Sequence, residues 1–149
     1  MVNDLNLGIR FEEVGAFLKW GKGINSLLNE FGKTREIIGN SIHYNWGKQK
    51  ILNGLEIELI TSFANIGYPR WFRKKFNKIE SWAIGDDVAK QEYDRISSHI
   101  KTHFGQAIEE LEEKENREKY LLWEIDNVTI SLYLFEQHCY KLHLLIRKK

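Results

Sequence analysis

The segment NGLEIEL spans residues 53–59 and places the strongest short turn signal of the chain directly before an alternating run. An Asn-Gly pair favours the tight turn that joins two antiparallel strands. After the turn, Leu55, Ile57 and Leu59 alternate with glutamates, which is the period-2 pattern of a half-buried strand. Residues 42–46 alternate in the same way before the turn. The segment therefore predicts a β-hairpin in the first half of the chain.

A second segment repeats this pattern in the other half. Residues 126–132, DNVTISL, combine a turn pair with the same alternation. A predicted helix and a tryptophan, Trp46 or Trp123, precede the turn in each half. We hypothesise two helix-plus-three-strand units that share one antiparallel sheet. The alternative is that two hairpins following helices look alike without duplication, and the gaps between the matched residues do differ.

The remaining pattern predicts two helices and further strands. A short helix begins at Asn25 or Ser26, and a long amphipathic helix begins at Asp86 and carries apolar residues at steps of three and four as far as Leu111. Gly105 either ends this helix or is tolerated within it. Strands are predicted over 79–84, 120–125, 128–135 and 140–146. We expect an α+β fold: one domain over residues 1–149, with a largely antiparallel sheet of five to seven strands and two main helices on one face.

The composition is typical of one globular domain. Of the 149 residues, 42% are hydrophobic and 13% aromatic, which is enough to form a core. The 22 Lys and Arg nearly balance the 21 Asp and Glu. We therefore do not expect an overall electrostatic field strong enough to select nucleic acid or a membrane. No apolar run approaches the roughly 20 residues of a membrane span. A single cysteine, Cys139, and an N-terminus without the features of a signal peptide favour the cytoplasm.

Histidine and cysteine residues occur in spacings that resemble reactive or metal-binding sites. His99 and His103 are four apart on the long predicted helix, as in helical zinc sites, but the expected glutamate beside the first histidine is absent. Cys139 lies between His138 and His143, in a region predicted to be β. Alternate residues of a strand point to opposite faces, so these groups need not converge. We expect no catalytic, cofactor-binding or metal-binding residues in the chain.

Two charged segments are the candidate surfaces for a partner. Residues 70–78 hold five positive charges interleaved with three aromatic rings, and residues 109–118 hold six acids against two bases. The acidic segment is predicted to be the solvated side of a helix end, which could also mask a basic site on a partner. The candidate partner-binding residues are Arg70, Arg73, Lys74, Lys75, Glu109, Glu110, Glu112 and Glu113.

The build of the chain resembles that of the small immunity proteins of bacterial contact-dependent and polymorphic toxin systems. The shared features are a short α+β chain, many aromatic residues, the segments 46–59 and 123–134, and no catalytic set. The resemblance implies a cytoplasmic inhibitor that binds a cognate toxin domain stoichiometrically and blocks its active site. Many immunity proteins against nucleases are strongly acidic, and this near-neutral chain departs from that habit, so the chemistry of the toxin stays open.

These observations predict a non-enzymatic protein-binding module, namely an immunity protein that neutralises a toxin domain. One alternative is a nucleic-acid-binding module that uses residues 70–78, whose charges suit a phosphate backbone and whose rings suit base stacking. Another alternative is a small-molecule-binding or enzymatic domain with a pocket between helices and sheet.

Overall fold

The computed structural model describes residues 4–31, 35–64, 75–115 and 117–149. Within these ranges it contains ten strands and two helices. In chain order the elements are β1 (Gly8–Phe11), β2 (Ala16–Lys19), α1 (Ile24–Phe31), β3 (Arg35–Ile38), β4 (Ser41–Ile51), β5 (Leu55–Ala64), β6 (Lys78–Ile84), α2 (Asp86–Phe104), β7 (Glu109–Glu113), β8 (Glu118–Ile125), β9 (Val128–Gln137) and β10 (Cys139–Lys148).

The chain is mainly β, so the predicted α+β class is wrong. Strands account for 55% of the described residues, and the two helices contribute far fewer. The strands form an eight-stranded antiparallel sheet and a separate two-stranded sheet of β1 and β2, rather than one sheet of five to seven strands. One source of the error is the acidic segment, which was predicted to continue a helix. Gly105 ends α2 with a φ of 87°, and residues 109–113 are extended and pair with β8.

An arrangement of one helix followed by four strands occurs twice along the chain. The large sheet has the order β3-β4-β5-β6-β10-β9-β8-β7, so the two sets of four strands meet at β6 and β10 in mirrored sequence. Trp46 lies on the second strand of the first set and Trp123 on the second strand of the other. The predicted unit of three strands is therefore one strand too short. The missing strand is the first of each set, β3 or β7, which is the edge of the sheet.

The predicted hairpins are confirmed, and their turns use residues with positive φ. Between β4 and β5, Asn53 has a φ of 64° and Gly54 a φ of 101°. Between β8 and β9, Asp126 has a φ of 53°. A β-bulge at Asn45–Gly47 makes Trp46 the extra residue of β4, and the Asn45 side chain accepts a hydrogen bond from the Gly47 amide at 2.8 Å. Turn chemistry and bulge together fix the register that points Trp46 into the core.

The hydrophobic core lies on one face of the large sheet. Alternate residues of the central strands point to this face and are buried, for example Leu132, Leu144 and Ile146. Helix α2 packs here against β6, β9 and β10 through its own buried side chains. On the other half of the same face, Phe31 of α1 and Phe11 of β1 contact the Trp46 ring. The described helices and the small sheet thus cover one face, and they leave the opposite face, here called the open face, uncovered.

Candidate functional site

The basic segment predicted to contact a partner lies mostly outside the described residues. Arg70, Arg73 and Lys74 are among those that the structure does not describe. Lys75 is exposed and is paired with Gly23 through an isolated β-bridge. The bridge attaches the end of this segment to the start of α1.

The described aromatic residue of the basic segment belongs to the core. Phe76 is fully buried, and its ring stacks on that of Trp20 with a centroid distance of 4.9 Å. Lys78 lies over the Phe63 ring at 5.2 Å and forms an ion pair with Glu80 at 3.7 Å. At this end of the segment the ring and the lysine are engaged within the fold and do not form a stacking platform for bases.

The acidic residues predicted to contact a partner form the edge strand β7. All five residues of this strand are exposed. The register with β8 and β9 places Glu109 and Glu113 on the open face and Glu110 and Glu112 on the helix side. On the helix side, burial and the charges of Glu110 and Glu112 raise the pKa of Tyr93 to about 12. The structure therefore divides the predicted acidic patch between two surfaces.

The histidine pair of α2 takes a structural position. His99 is half-buried, and its Nε2 donates a hydrogen bond to the Leu52 carbonyl oxygen at 2.7 Å. His103 is exposed, and the two ring centroids lie 4.4 Å apart. The histidine nearer the core is therefore His99, and His103 faces solvent. Within the described ranges, no group of three or more His, Cys, Asp or Glu side chains is placed to hold a metal ion.

The cysteine region does not assemble a nucleophile with a base. Cys139 and His143 point to the same face of β10 but are four residues apart, which separates them by roughly 13 Å along the strand. His138 lies in the turn before β10 with a φ of 68°. His143 instead contacts Glu80 and Trp82.

A row of aromatic rings crosses four strands on the open face. The Trp82 ring stacks on His143 with a centroid distance of 4.1 Å and meets Phe135 edge-on at 6.5 Å. Phe135 stacks on Tyr133 at 4.8 Å, and Tyr133 meets Tyr120 at 6.2 Å. Trp82 keeps 44% of its surface exposed, and the other members are half-buried against one another. Such a cluster on an uncovered sheet face is typical of an interaction surface.

Carboxylates flank the β8 end of this row. The Tyr133 hydroxyl donates a hydrogen bond to Glu118, and burial, this bond and the charge of Glu113 raise the pKa of Tyr133. Burial and the charge of Glu109 raise the pKa of Tyr120 in the same direction. We call this surface the acidic-aromatic face, consisting of Tyr120, Tyr133, Phe135, Trp82, His143, Glu109, Glu113 and Glu118.

Glu80 links β6 to its neighbouring strands at one end of the acidic-aromatic face. Its side chain accepts hydrogen bonds from the amide of Ser62 at 3.1 Å and from the hydroxyl of Ser62 at 2.7 Å, and it lies 3.0 Å from Nε2 of His143. Burial alone raises the pKa of Glu80, but the bonds from His143 and Ser62 and the charge of Lys78 outweigh it and lower this pKa to about 2. Glu80 is therefore a buried carboxylate that orients the ring on which Trp82 stacks.

Sequence reasoning missed the acidic-aromatic face except for Glu109 and Glu113. A signal was present in β9, where Tyr133 and Phe135 alternate with Leu132 and Leu134. Large apolar residues at both alternating sets indicate that neither face of the strand is an ordinary wet surface. The row itself depends on which strands are neighbours, since β6 and β9 are brought together only through β10.

Comparisons with protein families, with curated proteins and with solved structures found no significant match. Among the described helices, none is long and apolar enough to cross a membrane.

Proposed function

We propose that this chain is a non-enzymatic protein-binding module, and that it serves as an immunity protein that binds and neutralises a cognate bacterial toxin domain. The acidic-aromatic face is the observation that carries the protein-binding part, because it joins exposed and half-buried rings on a sheet face that the described helices leave uncovered. The resemblance to small immunity proteins in chain length, in aromatic content and in the segments 46–59 and 123–134 supports the toxin part, and with it a cytoplasmic location.

The chemistry of this face favours a partner with a basic surface. Glu109 and Glu113 are exposed beside Tyr120 and Tyr133, whose pKa values are raised partly by these acids. Lys and Arg side chains attract carboxylates and also lie favourably over aromatic rings. Large aromatic side chains commonly provide most of the binding energy of a protein interface, whereas charges at the rim accelerate encounter. We therefore assign the anchoring role to Trp82 and Phe135.

Growth rescue tests the proposal. A toxin domain encoded beside the gene for this chain is expressed in a sensitive host, with and without this chain. Wild-type protein is expected to restore growth and to bind the toxin in a 1:1 complex. The double variant Trp82→Ala with Phe135→Ala is expected to bind at least about 30-fold more weakly, because truncating two central anchors removes at least about 2 kcal/mol.

Phe17→Ala is the matched control, because Phe17 is also half-buried but lies on the small sheet beside Arg10. It should bind and protect like wild type. Circular dichroism spectra and melting temperatures establish that each variant is folded. A folded double variant with wild-type affinity would contradict the assignment of the acidic-aromatic face, and failure of the wild-type chain to bind or protect would contradict the immunity function.

A further inference from the structure

A cleft separates β5 from β6 next to the acidic-aromatic face. Over the part of the chain that the structure describes, the two strands pair at one position, Ile60 with Glu80. The corresponding strands of the second set, β9 and β10, pair over ten residues from Cys139–Gln137 to Lys148–Val128. The cleft has a volume of about 580 Å³, within the range of sites that hold ligands.

The cleft is lined by strand edges rather than by one sheet face. Residues 56–58 of β5 and residues 81–84 of β6 all contribute to its walls. Successive side chains of a strand point to opposite faces, so consecutive residues can line one cavity only if the strand turns its backbone edge toward it. Among the described residues, the range 56–58 pairs only with β4, and the range 81–84 pairs only with β10. About half of the backbone N–H and C=O groups in each range therefore point into the cleft and have no partner on a described strand.

Side chains hold the strands at the closed end of the cleft. Thr61 accepts a hydrogen bond from Trp46 Nε1 at 2.9 Å and donates one to the Lys78 carbonyl at 2.9 Å. Ser62 donates from both its amide and its hydroxyl to the Glu80 carboxylate on β6. The strands therefore diverge from a point where side-chain hydrogen bonds join them, and the cleft is a feature of the fold.

The two sides of the cleft differ in chemistry. On the open-face side, Glu56 and Glu58 are exposed, and Ile84 keeps 63% of its surface exposed. Lys48 lies 3.6 Å from Glu56, whereas Glu58 takes part in no described ion pair. The helix side is apolar at its centre, where Ile57, Ala83, Ile96, Leu142 and Leu144 line the cleft.

We propose that the cleft binds an extended peptide strand with alternating basic and apolar residues. Its backbone would pair with the free edges of β5 and β6, as in β-strand addition. Its apolar side chains would point toward α2, and its basic side chains would lie beside Glu56 and Glu58. This site shares Trp82 with the acidic-aromatic face but involves different contacts, and the inference does not depend on the toxin assignment.

The test uses the wild-type chain and the synthetic peptide acetyl-(Lys-Val)₄-amide. Two further versions carry N-methyl groups at every Val or at every Lys, which removes the N–H donors along one edge of the peptide. Binding is followed by amide chemical shifts of the ¹⁵N-labelled protein. We expect saturable shifts at residues 55–59 and 81–84, and both methylated versions should bind at least 10-fold more weakly.

The matched charge control is acetyl-(Glu-Val)₄-amide, which should also bind at least 10-fold more weakly because its acids face Glu56 and Glu58. The variant Glu58→Lys should weaken binding of the basic peptide, and Glu115→Lys, at an exposed turn, should not. The proposal is overturned if the basic peptide does not bind at millimolar concentration. It is also overturned if the shifts fall on Tyr120 and Tyr133 instead, or if either methylated version binds as tightly as the parent.

Discussion

Substitution of Glu80 by Gln is expected to make the protein less sensitive to acid, although it makes the protein less stable at neutral pH. Glu80 is only 6% exposed and accepts bonds from Ser62 and from His143. Gln preserves the size of the side chain but removes the negative charge, so the charge-assisted bonds become ordinary ones. Hydrogen bonds to charged groups contribute about 1.5–3 kcal/mol, and a loss of this size is expected for the free energy of unfolding at pH 7.

The pH dependence follows from the lowered pKa. Because the pKa of Glu80 falls from 4.5 in the unfolded chain to about 2 in the fold, its ionised form stabilises the fold above pH 4.5 by about 3 kcal/mol. This contribution disappears as the pH falls through the folded value, and about 2 kcal/mol of it is gone at pH 3. The gap in unfolding free energy between wild type and Glu80→Gln should therefore narrow by about 2 kcal/mol from pH 7 to pH 3.

Urea unfolding at the two pH values, followed by circular dichroism, measures this gap. The control is Glu115→Gln, which removes a carboxylate from an exposed turn and should differ from wild type by the same small amount at both pH values. A gap between wild type and Glu80→Gln that stays constant from pH 7 to pH 3 would refute the reasoning, because Glu80 would then bind protons equally in the folded and unfolded chains.

Three further substitutions test the fold by urea unfolding at pH 7. Gly8→Ala should lower the free energy of unfolding by several kcal/mol or prevent folding, since the new Cβ would lie 2.2 Å from the carbonyl oxygen of Leu18. A decrease below 1 kcal/mol would contradict the pairing of β1 with β2. Gly105→Ala should cost about 1–3 kcal/mol, because its φ of 87° and ψ of −170° suit only glycine; unchanged stability would contradict this helix end. Trp46→Phe should cost about 1–3 kcal/mol through the lost bond to Thr61 and the space left by the smaller ring, whereas a neutral effect would contradict the buried position of the indole.

The strands that sequence reasoning identified are those with one buried face. In β4, β5 and β9, buried residues alternate with polar or half-buried ones, and the turns between them carry Asn53-Gly54 or Asp126-Asn127. Burial of alternate residues is what creates the period-2 pattern, so these elements are visible without any knowledge of their neighbours.

The edge strands could not be identified in this way. Every residue of β7 is exposed, so no alternation marks it as a strand, and its glutamates match a solvated helix end equally well. Its extended state comes from pairing with β8, a contact that no local pattern encodes. Charged residues on a short edge strand also discourage pairing with another molecule, and this explains why the composition resembles that of a helix surface.

The acidic-aromatic face was hidden for a related reason. Its members come from β6, β8, β9 and β10, and the row forms only because β10 lies between β6 and β9. Trp82 and Phe135 are more than 50 positions apart in the sequence. The strand content was predictable, but the strand order decides which side chains meet on the open face.

The account is tested most directly by ¹⁹F NMR of the chain labelled with 5-fluorotryptophan, titrated with a toxin domain that the chain neutralises in the growth-rescue experiment. Trp82 is 44% exposed, whereas Trp20, Trp46 and Trp123 are buried in the core, and the variant Trp82→Phe assigns the Trp82 signal. We predict that saturating toxin shifts the Trp82 resonance and leaves the three core resonances in place. A Trp82 resonance that does not move when the complex is fully formed would contradict the claim that the acidic-aromatic face is the binding surface.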